Sequence, residues 1–375
     1  MTVPADAPIA DLRIIIPAGG AGTRLWPVSR AGSPKFLHDL TGTGRSLLQA
    51  TWDRVVPLTG TGGVLVVTGA RHEAAVRAQL PALGAAAVIA EPSPRDSMAA
   101  IGLAAAVLLE RDGDVIVGSF AADHVIRDAQ LFRDVVREAV EVARAGYVAT
   151  VGIAPEHPST GFGYIHAGAS LGLPTAPGAV RVEAFTEKPD AATAQAYLAT
   201  GEYRWNAGMF VIRAEVLLGH LAEQRPALHA ALRSLAAVWD TPARAEALAE
   251  TWPNLERIAI DHAIAEPVAA AGGVAMVPGD FGWADIGDFG SLAALLPAAE
   301  RDGGRVLGDD AAVLRLDSTN AVVVPGSGRQ VVILGLADIV VVDTPDVVLV
   351  TTRERAQDVK EIVAALRELG RDDLL

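Results

Sequence analysis

The feature that most constrains the fold is a rhythm in the first half of the chain, where short runs of apolar, largely β-branched residues alternate with segments long enough for helices. The runs are Leu12–Ile16, Val64–Val67, Ala87–Ala90 and Val115–Gly118, and among them lie Arg71–Leu80, Ser97–Glu110 and Leu131–Ala145. A run without polar alternation has no face to offer water, so it must be covered on both sides. Parallel strands crossed over by helices meet that demand, which predicts an α/β fold with a mainly parallel central sheet that receives ligands at the carboxyl ends of its strands.

From about Tyr147 to Gly290 the pattern is mixed. Strands are expected at Val180–Thr186 and Met209–Ile212 and helices at Ala191–Ala199, Ala214–Glu223 and Pro242–Glu250, as insertions that wall a pocket. Beyond the polar stretch Glu300–Gly304 the texture changes to Val-rich runs spaced by turn residues: Val313–Leu316, Ala321–Val324, Val331–Leu334, Ile339–Val342 and Val347–Val350. A helix over Glu354–Leu369 closes this small β module. The chain thus divides into a large α/β unit, residues 1–300, and a β module, residues 301–375, and no internal repeat stands out.

Charge narrows the partners. A formal net charge of -14 repels a polyphosphate backbone or an anionic bilayer, so neither nucleic acid nor membrane is expected as the main partner. A small anion is admissible where positive charge is local. No run of about 18 uncharged apolar residues occurs. The N-terminal MTVPADAPIADLR lacks the basic-then-apolar order of a secretory signal, so a cytoplasmic location is expected. The absence of cysteine removes disulfides, thiolate metal sites and a cysteine nucleophile, leaving oxygen or imidazole for any metal. Of the 31 basic residues only Lys35, Lys188 and Lys360 are lysines. In so arginine-rich a chain a lysine marks a place that wants a compact ammonium and rejects a planar fork.

The first apolar run opens directly into Pro17-Ala18-Gly19-Gly20-Ala21-Gly22-Thr23-Arg24-Leu25-Trp26-Pro27. Glycines at such a turn let backbone N–H groups approach phosphate oxygens with no Cβ in the way, and Arg24 and Lys35 add fixed positive charge. The dinucleotide fingerprint does not fit, because counting from Gly20 places Leu25 at the third glycine, and no Gly-Lys pair exists for a Walker loop.

Gly19-Gly20-x-Gly22-Thr23-Arg24-Leu25-Trp26-Pro27-x-Ser29-Arg30, followed by Pro34-Lys35, resembles the signature of the sugar-nucleotide pyrophosphorylases, specifically the mannose-1-phosphate guanylyltransferases. The resemblance continues, in order, through Glu91–Arg95, Asp123-His124, Gly161–Ile165, Phe185–Pro189, Trp205–Phe210 and Trp283–Gly287, and it extends into the β module. It implies a Rossmann-like nucleotidyltransferase fold, a β module wound as a short left-handed coil, and a homo-oligomer, with a dimer expected. It also implies transfer of GMP from GTP to α-D-mannose 1-phosphate, with Mg²⁺ as cofactor.

The same blocks carry the site. Arg24, Lys35 and Lys188 surround the phosphates, and Gly19, Gly20, Gly22 and Thr23 form the nucleotide turn with Glu91 and Arg95 beyond it. Gly163, Glu187, Lys188 and Asn206 resemble the sugar-phosphate side, where directional partners distinguish epimers because an unpaired buried polar group is costly. Asp123 follows a strand and two small residues, which brings a hard oxygen ligand to the sheet edge where a triphosphate lies; Asp285 resembles the second metal carboxylate. Glu91 can accept from both N1–H and N2–H of guanine, a donor pair that adenine lacks, while Arg95 shapes its loop. His124, Tyr164 and Trp205 are expected to pack and are given no chemical role. The sugar phosphate is already a nucleophile at neutral pH, so neither a general base nor a covalent intermediate is required.

Other readings remain open: another nucleoside triphosphate or hexose 1-phosphate, or a non-catalytic regulator that binds GDP-mannose. An appended isomerase domain is not expected, since the chain ends soon after the β module. Gly168–Gly172 matches G-x-S-x-G but leads into Leu173–Gly178, a loop where a nucleophile elbow needs a helix, and His72-Glu73 lacks the second histidine of a zinc-protease motif. Phe36 stands where relatives carry glutamine, a change that bears on pocket polarity, and Ala121-Ala122 precede Asp123 where Pro-Ser or Pro-Ala is common.

Overall fold

The computed structural model describes residues 7–20 and 22–375; Ala21 of the glycine turn and the first six residues, including part of the segment weighed as a leader, lie outside them. The strands are β1 (Leu12–Ala18), β2 (Val64–Gly69), β3 (Val88–Glu91), β4 (Ile116–Ser119), β5 (Val125–Ile126), β6 (Val148–Ile153), β7 (Gly163–Ser170), β8 (Val180–Thr186), β9 (Tyr203–Arg213), β10 (Val274–Pro278) and β11 (Trp283–Ala284). Nine of them form one sheet in the order β3-β2-β1-β4-β9-β6-β10-β8-β7. Only β8 and β9 run against the others, so the sheet is mainly parallel, and β9 is the long central strand that joins β4 to β6 and β7.

Alternation along β1 builds the two faces. Ile14 and Ile16 enter a core with α1 (Leu47–Thr59) and α4 (Ala129–Arg144), while Ile15 enters the opposite core, filled by α3 (Asp96–Asp112) and the helices Ala214–Gln224 and Pro226–Ala237. Both faces are apolar because both are covered. α2 (Glu73–Gln79) is shorter than expected, its first turn being a tight one at Ala70–His72. The sequence pattern does not single out α1, although Ser46 and Gln49 form a reciprocal capping box at its start. Gly168–Ser170, expected in a loop, close β7 instead and pair with β8; no helix follows, so no elbow forms.

The C-terminal module is a coil. Strands β12 (Arg305–Val306), β14 (Val322–Pro325) and β16 (Ile339–Asp343) stack in parallel, as do β13 (Val313–Leu316) and β15 (Val331–Leu334), and β17 (Val348–Thr352) returns antiparallel. Val313 sits over Val331 and Val322 over Val340, so these two steps advance by the same interval along the chain, one turn of the coil, while the first step, Arg305 over Val322, is one residue shorter. A repeat therefore exists where none stood out. It is carried by shape, with Asn320 and Asp338 both left-handed and joined Nδ2 to Oδ1 at 3.1 Å, and only weakly by residue identity.

A third core joins this coil to two loops of the α/β unit. Leu25 and Trp26 from the glycine turn, and Ile286 and Phe289 from the loop after β11, pack with Val322, Val340, Leu349 and Val363. Trp26 Nε1 donates to the Leu374 carbonyl at 2.8 Å, and Arg30 makes a two-pronged contact with Asp346 at 2.7 Å on each oxygen. Gln357 donates to Asp288, whose carboxylate also caps the helix Phe289–Leu295.

Candidate active site

β1 ends at Ala18 and the chain turns through exposed Gly19 and Gly20, the latter at φ 88°, into Gly22 at φ 55° and a tight turn at Thr23–Leu25. Gly22 is forced: a Cβ there would lie 2.7 Å from Ser29 Oγ, with a left-handed backbone besides. Arg24 is exposed and has no hydrogen bond or ion pair among the described residues, so its charge is free for a ligand.

Lys35 lies at the foot of this turn. Its ammonium pairs with Asp123 Oδ2 at 2.8 Å and donates to the carbonyls of Asp285 at 2.7 Å and Ile286 at 3.4 Å. Burial pushes the Asp123 carboxyl up, but the Lys35 charge and hydrogen bond outweigh it and hold the group below its ordinary range. Asp285 goes the other way, raised by burial and by the charge of Asp123 despite the pull of Lys35. Among the described residues no three His, Asp or Glu side chains form a metal cage. Two carboxylates that repel each other at one cleft nevertheless fit Mg²⁺, which shares its shell between one or two protein oxygens, substrate phosphates and water.

His124, behind Asp123, is held neutral, its pKa pulled down to about 4 by burial, and its ring meets Trp283 edge-on at 5.4 Å. Beneath them lies Arg54, which sequence reasoning did not single out. It is buried without a carboxylate partner among the described residues, bonds Thr51 Oγ1 at 2.8 Å and the His124 carbonyl at 3.4 Å, and sits over the Phe132 ring. It braces the loop that carries Asp123.

Glu91 closes β3 at the same sheet edge, paired in register with Gly69 while Thr68 pairs with Ala18. Burial raises its carboxyl to about 7, and Oε1 is buried with no hydrogen-bond partner among the described residues. The loop behind it is clamped: Arg95 donates to the Pro253 carbonyl and, at 3.2 Å, to that of Leu255, and Trp252 Nε1 donates to Ser93 O at 2.8 Å. Arg95 thus spends its guanidinium hydrogen bonds on backbone carbonyls. Phe36 is fully buried, its ring edge-on to His72, so it bears on the core and leaves pocket polarity unaltered.

On the other side of Pro17 a cavity of about 260 Å³ is lined by Gly163, Glu187, Asn206, Asp261, Trp283 and Asp285 among others. Gly163 permits the close fit, because a Cβ there would overlap Glu187 Oε2 and come within 3.3 Å of Asn206 Cβ. Glu187 Oε1 pairs with the exposed, left-handed Lys188 at 2.9 Å. Asn206 is more occupied than a ligand-reading amide: its Oδ1 accepts from Thr150 Oγ1 at 3.1 Å and Gly208 N at 3.2 Å, and its Nδ2 donates to Asp261 at 2.7 Å. Asp261 belongs to no recognised block, and its position in a π turn, Asp261–Ala265, has no clear sequence signal.

Residues 13–301 match the nucleotidyl transferase family, and residues 311–366 match the MannoseP isomerase/GMP-like beta-helix domain. The chain is 39% identical to the xanthan biosynthesis protein XanB of Xanthomonas campestris pv. campestris, over 97% of this chain and 75% of that protein. It is 36% identical to the mannose-1-phosphate guanylyltransferase of Escherichia coli, over 96% of this chain and 74% of that protein. Among solved structures, that of mannose-1-phosphate geranyltransferase from Thermus thermophilus superposes with a TM-score of 0.83 at 31% identity, covering 95% of this chain and 99% of that one.

The Lys35 contacts make a direct prediction. Lys35→Met should move the Asp123 carboxyl upward, because burial is then left unopposed by the ammonium. Carbon-13 NMR titration of labelled aspartates reads this, and an unmoved Asp123 resonance would mean that the pair does not form in solution.

Proposed function

The chain belongs to the nucleotidyl transferase family, among the mannose-1-phosphate guanylyltransferases, and from that premise we propose that its cleft transfers GMP from GTP to α-D-mannose 1-phosphate, giving GDP-mannose and pyrophosphate. The observation that carries this reading is the Lys35 ammonium, set between Asp123 and the Asp285 backbone at the foot of a glycine turn. A phosphate oxygen of the sugar phosphate attacks the α-phosphorus in line. A new P–O bond forms as the bond to pyrophosphate breaks, and no proton has to be moved first. The protein's task is alignment and neutralisation of charge.

Arg24, unpaired beside the glycines, and Lys35 face the triphosphate; Lys188, on its left-handed turn, reaches the sugar phosphate from the opposite rim. Asp123 and Asp285 would hold Mg²⁺, whose charge, when bound, offsets that of the phosphates. Glu91 reads guanine with its carboxylate at the end of β3, about two strand spacings, roughly 10 Å, from the glycine turn. No helix among the described residues is long and apolar enough to cross a membrane; a cytoplasmic location is part of the same proposal. So is a homodimer: Leu314 and Leu316 of β13 lie in register with Val332 and Leu334 of β15, all four exposed, and a second copy would cover this apolar ladder. Sedimentation equilibrium that returns a monomer mass at micromolar concentration would discard the dimer.

Pyrophosphate release across a matrix of triphosphates and hexose 1-phosphates tests the activity. GTP with mannose 1-phosphate should lead, and Asp123→Asn should abolish turnover while its circular dichroism spectrum shows the fold retained; normal turnover in that variant would overturn the metal assignment. A second test uses pH. Guanine needs the Glu91 carboxylate, which is about half protonated near pH 7 in the free protein. GDP-mannose, whose diphosphate has no group titrating near neutrality, should therefore bind about tenfold more tightly at pH 8 than at pH 6. In Glu91→Gln the tenfold change should shrink to at most about the twofold that Asp261, with a carboxyl at about 6, contributes on the sugar side, and base selectivity should fall; calorimetric profiles that stay parallel in the two proteins would rule Glu91 out as the base reader.

A further inference from the structure

The acceptor arrangement in the 260 Å³ cavity is uneven. Asn206 has its orientation fixed, since both donors that reach Oδ1 compel Nδ2 to face Asp261. Glu187 gives one oxygen to Lys188. Asp261 has a single side-chain partner, Asn206 at 2.7 Å on Oδ1, so Oδ2 has no side-chain partner among the described residues. Burial, and then the charge of Glu187, pushes its carboxyl up to about 6. The pocket wall thus holds two crowded carboxylates and few donors to satisfy them. A polyol ring brings hydroxyl donors and no charge, which is the complement such a wall lacks.

The backbone fits that task. The π turn Asp261–Ala265 is continued by Glu266, whose Oε1 accepts from Glu187 N at 3.4 Å while Oε2 pairs with His262 at 2.9 Å. One turn therefore fixes Asp261 directly and the Glu187 backbone through Glu266. Ile260 N donates to Ser97 Oγ at 2.9 Å and anchors the turn to the start of α3.

We propose that Asp261 is a specificity-determining residue whose carboxylate accepts a ring hydroxyl of the sugar phosphate, with Asn206 as the positioning residue that aims it. The proposal rests on the nucleotidyltransferase reading above and adds to it the group that distinguishes one hydroxyl pattern from another. A site built to accept a hydroxyl hydrogen loses most when the hydroxyl or the acceptor is absent, and little more when both are.

The test is a cycle between protein and substrate. Wild type, Asp261→Asn and Asp261→Ala are assayed for kcat/KM with mannose 1-phosphate and its 2-, 3-, 4- and 6-deoxy analogues, with thermal unfolding run in parallel. Asp261→Asn should lose about 10- to 100-fold with the full sugar. With the analogue lacking the hydroxyl that Asp261 reads, the loss should shrink to a few-fold, while the other analogues retain it. Equal losses across all analogues would overturn the proposal, since a merely structural role moves every substrate alike, and so would a loss matched by a fall in the unfolding midpoint of both variants. Should the wild type prefer another hexose 1-phosphate, the mannose assignment fails, and the same cycle on that sugar still decides the role of Asp261.

Discussion

The cleft depends on one ammonium group. Lys35 reaches the carboxylate after β4 and the backbone after β11 from the turn after β1, so three segments far apart in the chain meet at a single Nζ. Removing one partner of a half-buried pair leaves the other charge unsolvated and costs several times what the pair itself contributes. A guanidinium could not replace it, because its planar fork cannot point at one carboxylate and two carbonyls gathered around a small point.

The loops that this ammonium holds have little core of their own. Leu25, Trp26, Ile286 and Phe289 are buried in a core to which the coil supplies Val322 and Val340 and the C-terminal helix supplies Val363. The polar ties repeat the pattern, with Arg30 on Asp346 and Gln357 on Asp288 each joining one loop of the cleft to the C-terminal module. The coil is therefore part of the scaffold of the cleft, and its contribution is rigidity at the two loops that must face phosphate.

Much of this is legible from the residues, for physical reasons that differ by element. β1 through β4 are visible because strands buried on both faces are apolar throughout, and the turn after β1 because glycine, arginine and lysine at fixed offsets have few other uses. β9 is visible only in part: Arg204 and Asn206 interrupt its apolar run, and Asn206 lines the cavity, which hides the first half of the strand. Arg95 and Asn206 belong to the site on resemblance, and the structure engages both with their own protein, one on carbonyls and one on Asp261. Asp261 and Arg54 escape a sequence reading because nothing local marks an acid in a π turn or an arginine on the inner face of an amphipathic helix. The repeat of the coil escapes it because valine recurs everywhere in the module, so identity conveys no phase.

That coil has a consequence of its own. Because the strands of successive turns pair in register, they present the same faces inward: Val322 over Val340 toward the shared core, Val323 over Val341 toward the coil's own. Length in such a module comes in whole turns. A segment as long as one turn, added between β14 and β16, adds a rung and preserves every inward face, whereas a slip by a single position reverses the next strand and turns its valines to water. The module can thus be lengthened or shortened over evolution only in discrete steps, while the loops it braces keep their positions at the end that is anchored to the sheet.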